Sequence, residues 1–190
     1  MLLPANERIP EKEGEREFLT IDKQKKLFAT PCPREDVRVA FIFSCLTGLR
    51  KSDILALCPK HIKTSPDGKS KYIEIEQEKT EDKVIVPLHE EALKYLSETT
   101  APEEHYFTLP STAGIGKVLT KWTEAAGITK HITFHSARHT FATLSMTAGS
   151  ELKTVSTLLG HNSVGTTAIY ADVEMKSKKD AVSGLSALFG

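Results

Sequence analysis

Between Arg34 and Gly48 the chain reads R-E-D-V-R-V-A-F-I-F-S-C-L-T-G. Val37, Ala40, Phe41, Cys45 and Leu46 recur at helical spacing, and Val39, Ile42 and Phe43 fill the faces between them. A helix apolar over so much of its circumference belongs in the middle of a core. The other elements must therefore pack around it. Gly48 closes the helix, because glycine takes the left-handed conformation that ends helices without steric cost. At 190 residues the chain has the length of one domain and interior enough for such a core.

The remaining pattern is mostly helical. Thr20 is placed to cap a short helix over 23–29, which Pro31 and Pro33 end. A second short helix is expected over 52–57, stopped by Pro59. Then the period changes. Tyr72, Ile73 and Ile75 form one short β-type run, and Val84, Ile85 and Val86 another. The polar stretch 77–83 between them predicts a hairpin. Residues 61–63 add a third strand, turning at Pro66-Asp67-Gly68. A helix is predicted over 88–96. Ile115, Val118, Leu119 and Trp122 mark the apolar face of another, closed by Gly127. Further helices are predicted over 135–148, 151–159 and 164–170. Residues 1–17 are charged and nearly devoid of apolar side chains, which reads as a flexible linker. Residues 176–190 read as a weakly amphipathic tail helix carrying Leu185, Leu188 and Phe189. The fold class expected is mostly α with a small antiparallel β-sheet, α+β.

Several function classes lack the residues they need. There is no run of about 18 apolar residues to span a membrane. The amino terminus is too short and polar for a secretory signal. Cys32, Cys45 and Cys58 form no metal-like cluster and read as reduced core thiols of a cytoplasmic protein. Neither G-x-G-x-x-G nor a P-loop is present, so nucleotide hydrolysis has no site. The 25 basic and 25 acidic residues cancel, whereas DNA-binding domains usually carry a basic excess. The distribution is less even than the sum: residues 1–110 have a net charge of −3 and residues 111–190 a net of +3, with four of the seven histidines in the latter.

Chemistry gathers in the last third. The segments H-S-A-R-H-T-F-A-T-L and L-L-G-H-N-S-V-G-T-T-A-I-Y place His135, Arg138, His161 and Tyr170 in one order. His135 and Arg138 are three apart and share a helix face. An arginine offers a planar fork of donors to two phosphate oxygens, and imidazole titrates near neutral pH. Gly160 can end a helix in the left-handed conformation and so aim His161. A tyrosine, ordinarily with a pKa near 10, becomes a nucleophile when cations favour its phenolate and a base takes its proton. This set suits holding a phosphodiester while Tyr170 attacks phosphorus. Upstream, Arg50 in T-G-L-R-K-S-D and Lys79 in Q-E-K-T extend it to six. A rival reading takes His131, His135 and His139 at i, i+4, i+8 as zinc ligands. Thr133 places His131 ahead of the helix, and no cysteine or acid completes that set. His139 is expected to point elsewhere, with a structural role.

These motifs resemble the catalytic domain of the tyrosine recombinases, the phage-integrase family, over about residues 18–170. The resemblance implies a catalytic domain over 18–175 and a tail over 176–190 for which two readings stand open: docking on a neighbouring protomer, or packing on its own domain. It implies a site-specific recombinase or integrase of a mobile genetic element, acting on double-stranded DNA through a 3′-phosphotyrosyl intermediate. Arg50 and Arg138 would clamp the phosphate, Lys79 protonate the leaving oxygen, His135 manage the Tyr170 proton and His161 hydrogen-bond the phosphate. No cofactor, metal or small-molecule substrate is called for, and the protein would assemble as a tetramer on DNA in the bacterial cytoplasm, associated with the nucleoid. One departure is Asp53, where the family more often has Glu. Only a short linker precedes the catalytic region, whereas the family usually carries an N-terminal DNA-binding domain there. Either the chain is a fragment of a longer integrase or a partner supplies the other half; the fragment is the reading preferred, with weak, salt-sensitive DNA binding alone. The other readings are a nicking-closing enzyme of the type IB topoisomerase kind and a non-catalytic DNA-binding module.

Overall fold

The structure is a computed structural model, and it describes residues 18–76, 83–99 and 101–160. The linker 1–17, the polar turn 77–82, the helix expected over 164–170 and the tail 176–190 lie outside the described residues.

Seven helices and three strands follow one another among the described residues. They are α1 (Ile21–Ala29), α2 (Glu35–Thr47), α3 (Lys51–Ala56), β1 (Ile62–Thr64), β2 (Lys71–Glu76), β3 (Lys83–Leu88), α4 (Glu90–Leu93), α5 (Thr112–Ala125), α6 (His135–Thr147) and α7 (Leu152–Leu159).

 Helix α7 thus comprises Leu152–Leu159 and ends at Gly160, which has φ 60°. The strands form one antiparallel sheet in the order β1-β2-β3. Its register pairs Ile73 with Val86 and Ile75 with Val84. These four side chains are buried, while Ile85, on the opposite face, is half exposed. That is the period-2 alternation of a sheet with one face in the core.

Helix α2 lies at the centre, as its composition requires. Val37, the whole of Ala40–Cys45 and Thr47 are buried. Phe41 makes edge contacts with Trp122 of α5 at 5.8 Å and with Phe134, just ahead of α6, at 6.0 Å. Trp122 also donates its indole N–H to the Thr30 carbonyl at 2.8 Å, fastening α5 to the end of α1. A smaller apolar cluster of Ala142, Met146, Val155 and Leu159 joins α6 to α7, separate from the main core. Among the described residues no helix is long and apolar enough to cross a membrane.

Three expectations shift. The helix predicted over 88–96 shrinks to α4, because Leu88 is buried and ends β3 opposite Lys71. His89 then caps α4 by accepting the Glu91 N–H at its Nδ1 atom, 3.1 Å away. His61 does not open β1. It closes a 3-10 turn over Pro59–His61, where its Nδ1 accepts the Cys58 N–H at 3.2 Å. Of the three thiols, Cys45 and Cys58 are buried, but Cys32 is only partly covered and donates to the Arg34 carbonyl at 3.3 Å.

Candidate active site

Arg50 lies at the joint between the central helix and α3. Gly48 ends α2 with φ 72°, Leu49 is buried, and Arg50 is the N-cap of α3 in an extended conformation. Its backbone N–H donates to Asp53 Oδ2 at 3.2 Å. A carboxylate in the first turn suits a helix N-terminus, where unpaired N–H groups gather positive charge. Asp53 is itself buried, at 2% exposure. Burial pushes its carboxyl above the usual range, and the Arg50 N–H with the charges of Arg50 and Arg138 pulls the other way. Both guanidinium groups therefore act on one buried carboxylate, although the sequence separates them by almost half the chain.

Arg138 reaches this place from α6. That helix starts from a reciprocal cap. Ser136 Oγ accepts the Thr133 N–H at 2.9 Å, and the Ser136 N–H donates back to the Thr133 carbonyl at 3.1 Å. The cap fixes the first turn, leaving His135 exposed and Arg138, three residues on, buried at 3% exposure. Arg138 Nη1 donates to the Gly48 carbonyl at 2.9 Å, and Nη2 donates to the Leu159 carbonyl. A buried cation is costly unless hydrogen-bonded, and carbonyls at helix C-termini carry partial negative charge.

Of the six residues singled out in the sequence, Arg50, His135 and Arg138 are described. Lys79, His161 and Tyr170 lie outside the described residues. His139 does not point elsewhere: its ring meets that of His135 edge-on, with centroids 4.5 Å apart and planes at 89°. The i, i+4 spacing carried this signal. A ring so placed restricts how the exposed His135 imidazole can turn.

An open groove of about 660 Å³ runs between α5 and residues 131–134; Lys51 and Phe134, the chain neighbours of Arg50 and His135, line it together with Lys117, Lys121 and His131 among others. Lys51 Nζ donates to Thr112 Oγ1 at 2.8 Å, holding that amine at the rim. A hollow of about 440 Å³ extends it past Lys130. Glu124 is the one acid among the lining residues of both. The sequence offered a signal here as well, since Lys117 and Lys121 are four apart on one helix. The groove combines an apolar floor that includes Ile115, Ile132 and Phe134 with the amines of Lys51, Lys117 and Lys121 along it, and cations so grouped favour an anionic ligand.

Comparison with known proteins bears on the family and the fold. The profile of the phage integrase family matches residues 17–177. A tyrosine recombinase of Pseudothermotoga lettingae is 30% identical over 181 residues, covering 89% of this chain and 60% of the relative. The chain thus spans about 60% of that relative's length. Among solved structures, the XerA recombinase aligns with a TM-score of 0.68 at 23% identity, over 86% of this chain and 62% of that one. A lambda integrase dimer bound to a COC′ core site aligns with a TM-score of 0.63 at 25% identity, over 82% and 47% of the two chains.

Proposed function

The chain belongs to the phage integrase family, and from that membership we propose that it cuts and rejoins double-stranded DNA as a site-specific recombinase serving a mobile genetic element. The Tyr170 oxygen attacks the scissile phosphorus, and the bond from phosphorus to the 5′ oxygen breaks. The enzyme is left joined to a 3′ phosphate. His135 takes the phenol proton, and Lys79 gives a proton to the departing 5′ oxygen. Arg50 and Arg138 stabilise the charge that grows on the non-bridging oxygens, as oxyanion-hole donors do, and His161 adds a hydrogen bond to the phosphate. Attack on the phosphotyrosine by a 5′ hydroxyl from a partner strand reverses the steps and joins new ends. The chain assembles on DNA as a tetramer, and the cytoplasm, on the nucleoid, is its place of action.

The observation that carries this reading is that Arg50 and Arg138, far apart in sequence, both act on buried Asp53, while Lys51, the neighbour of Arg50, lines the groove. Two cations near one buried carboxylate, one of them fixed by the Gly48 and Leu159 carbonyls, would clamp a phosphate, with the neighbouring backbone phosphates left to the lysines. The test is covalent trapping with a pool of nicked duplexes. The native chain is expected to give SDS-resistant adducts and Tyr170→Phe none, with DNA still bound. Adducts of equal yield from both proteins would remove Tyr170 from the mechanism. Products joining strands of two duplexes distinguish recombination from nicking and closing.

A further inference from the structure

The two carbonyls that Arg138 holds belong to the ends of two different helices. Gly48 is the C-cap of α2, and Leu159 is the last residue of α7. Helix ends leave carbonyls without intrahelical partners, so a single guanidinium serves both. In sequence, Arg50 follows the first carbonyl by two residues and His161 follows the second by two. A guanidinium is planar and rigid, and its two bonds therefore fix how far apart the two helix ends lie.

This bridge depends on close packing at Gly48. Its φ of 72° is one that side-chain-bearing residues rarely adopt. A Cβ there would lie 2.5 Å from Phe141 Cδ1 and 2.9 Å from Leu159 Cδ2. Both distances are too short for carbon atoms, so something would have to move. Phe141 is on α6, one turn from Arg138, and Leu159 provides the second carbonyl. The atoms that would be pushed are thus those that frame the bridge.

We propose that Gly48 is a positioning residue: its missing side chain lets Arg138 fasten the ends of α2 and α7 together, and this fastening sets where Arg50 stands against Arg138. The consequence for DNA cleavage rests on the recombinase reading, whereas the fastening itself can be tested without DNA.

Arginine side-chain nitrogen NMR on the whole chain reads it, with the Arg138 signals identified by their loss in Arg138→Lys. In the native protein the Arg138 Nη protons are expected to exchange with water at least about tenfold more slowly than those of exposed Arg34. Gly48→Ala should lose this protection and shift the Arg50 Nε resonance. Gly48→Ala/Phe141→Ala removes the ring that the new methyl meets and gives Leu159 room to turn aside. It should recover both signals while keeping the strain of alanine at positive φ. Rapid exchange at Arg138 in the native chain, full protection in Gly48→Ala, or no recovery in the double variant each overturns the proposal. Should Gly48→Ala not fold, the native chain and the double variant still decide. On nicked DNA, Gly48→Ala is expected to form adducts about 10²-fold more slowly at saturating DNA, as misplacement by an ångström does, with little change in affinity. A native chain that forms no adduct counts against the recombinase reading and leaves the NMR result standing.

Discussion

Asp53 presents a residue-scale conflict between stability and function. Its carboxyl is raised by burial even with Arg50 and Arg138 nearby. A raised acid gains stability from its protonated form: the gain is complete below the unfolded pKa and is lost as pH rises through the folded one. At neutral pH the ionised side chain therefore costs stability. What it supplies is a fixed negative charge that both arginines share. Asp53→Asn keeps the shape and retains an acceptor for the Arg50 N–H. It is expected to unfold at a higher urea midpoint than the native chain at pH 7, with the difference shrinking as pH falls towards the usual carboxylate range. Adduct formation should fall by about 10²-fold, because the arginines lose their common reference. A lower midpoint for Asp53→Asn at pH 7 would mean that the carboxylate is a net stabiliser, and the trade would not exist.

At the scale of elements, the sequence was legible where the signal is local. Gly48, Gly127 and Gly160 all have positive φ and lie at helix ends, and the alternation in β2 and β3 gave the hairpin its register. Leu88 misled because a buried residue before a capping His89 fits a helix start as well as a strand end. The partners of Arg138 were not legible at all. They are backbone carbonyls on two other helices, and a carbonyl has no sequence signature. The same holds for the start of the described chain. The Leu19 N–H is buried and donates to Thr140 Oγ1 of α6 at 3.0 Å, while Thr140 in turn donates to the Ser136 carbonyl at 2.8 Å. Lys130 lies over the Phe18 ring, 4.8 Å from its centroid, adding a second tie. The segment ahead of α1 is thus pinned to the helix that carries His135 and Arg138. Thr140→Val keeps the volume but orphans the Leu19 N–H, and a buried unsatisfied donor costs about 1–3 kcal/mol. Urea unfolding checks this. A variant as stable as the native chain would show that water or another acceptor replaces the hydroxyl.

For the whole molecule, a net charge of zero conceals an uneven surface. DNA responds to the charges within a Debye length, about 8 Å at physiological salt, more than to the sum over the chain. The relevant quantity is therefore the groove beside the arginines, where Lys51, Lys117, Lys121, Lys130 and His131 face a single glutamate among the lining residues. Each phosphate neutralised by a lysine releases condensed counterions and steepens the salt dependence of binding by about 0.9 in the slope of log K against log salt. If Lys117 and Lys121 each meet one phosphate, Lys117→Gln/Lys121→Gln should flatten that slope by about 1.8. The loss should be alike on unrelated duplex sequences, because phosphates carry no base identity. Lys94→Gln is the control, since its amine is already paired with Glu91 at 2.5 Å. Fluorescence anisotropy over a salt series measures all three proteins. An unchanged slope in the double variant would place the DNA on another face, and the pair of arginines would then have to reach their phosphate from outside this groove.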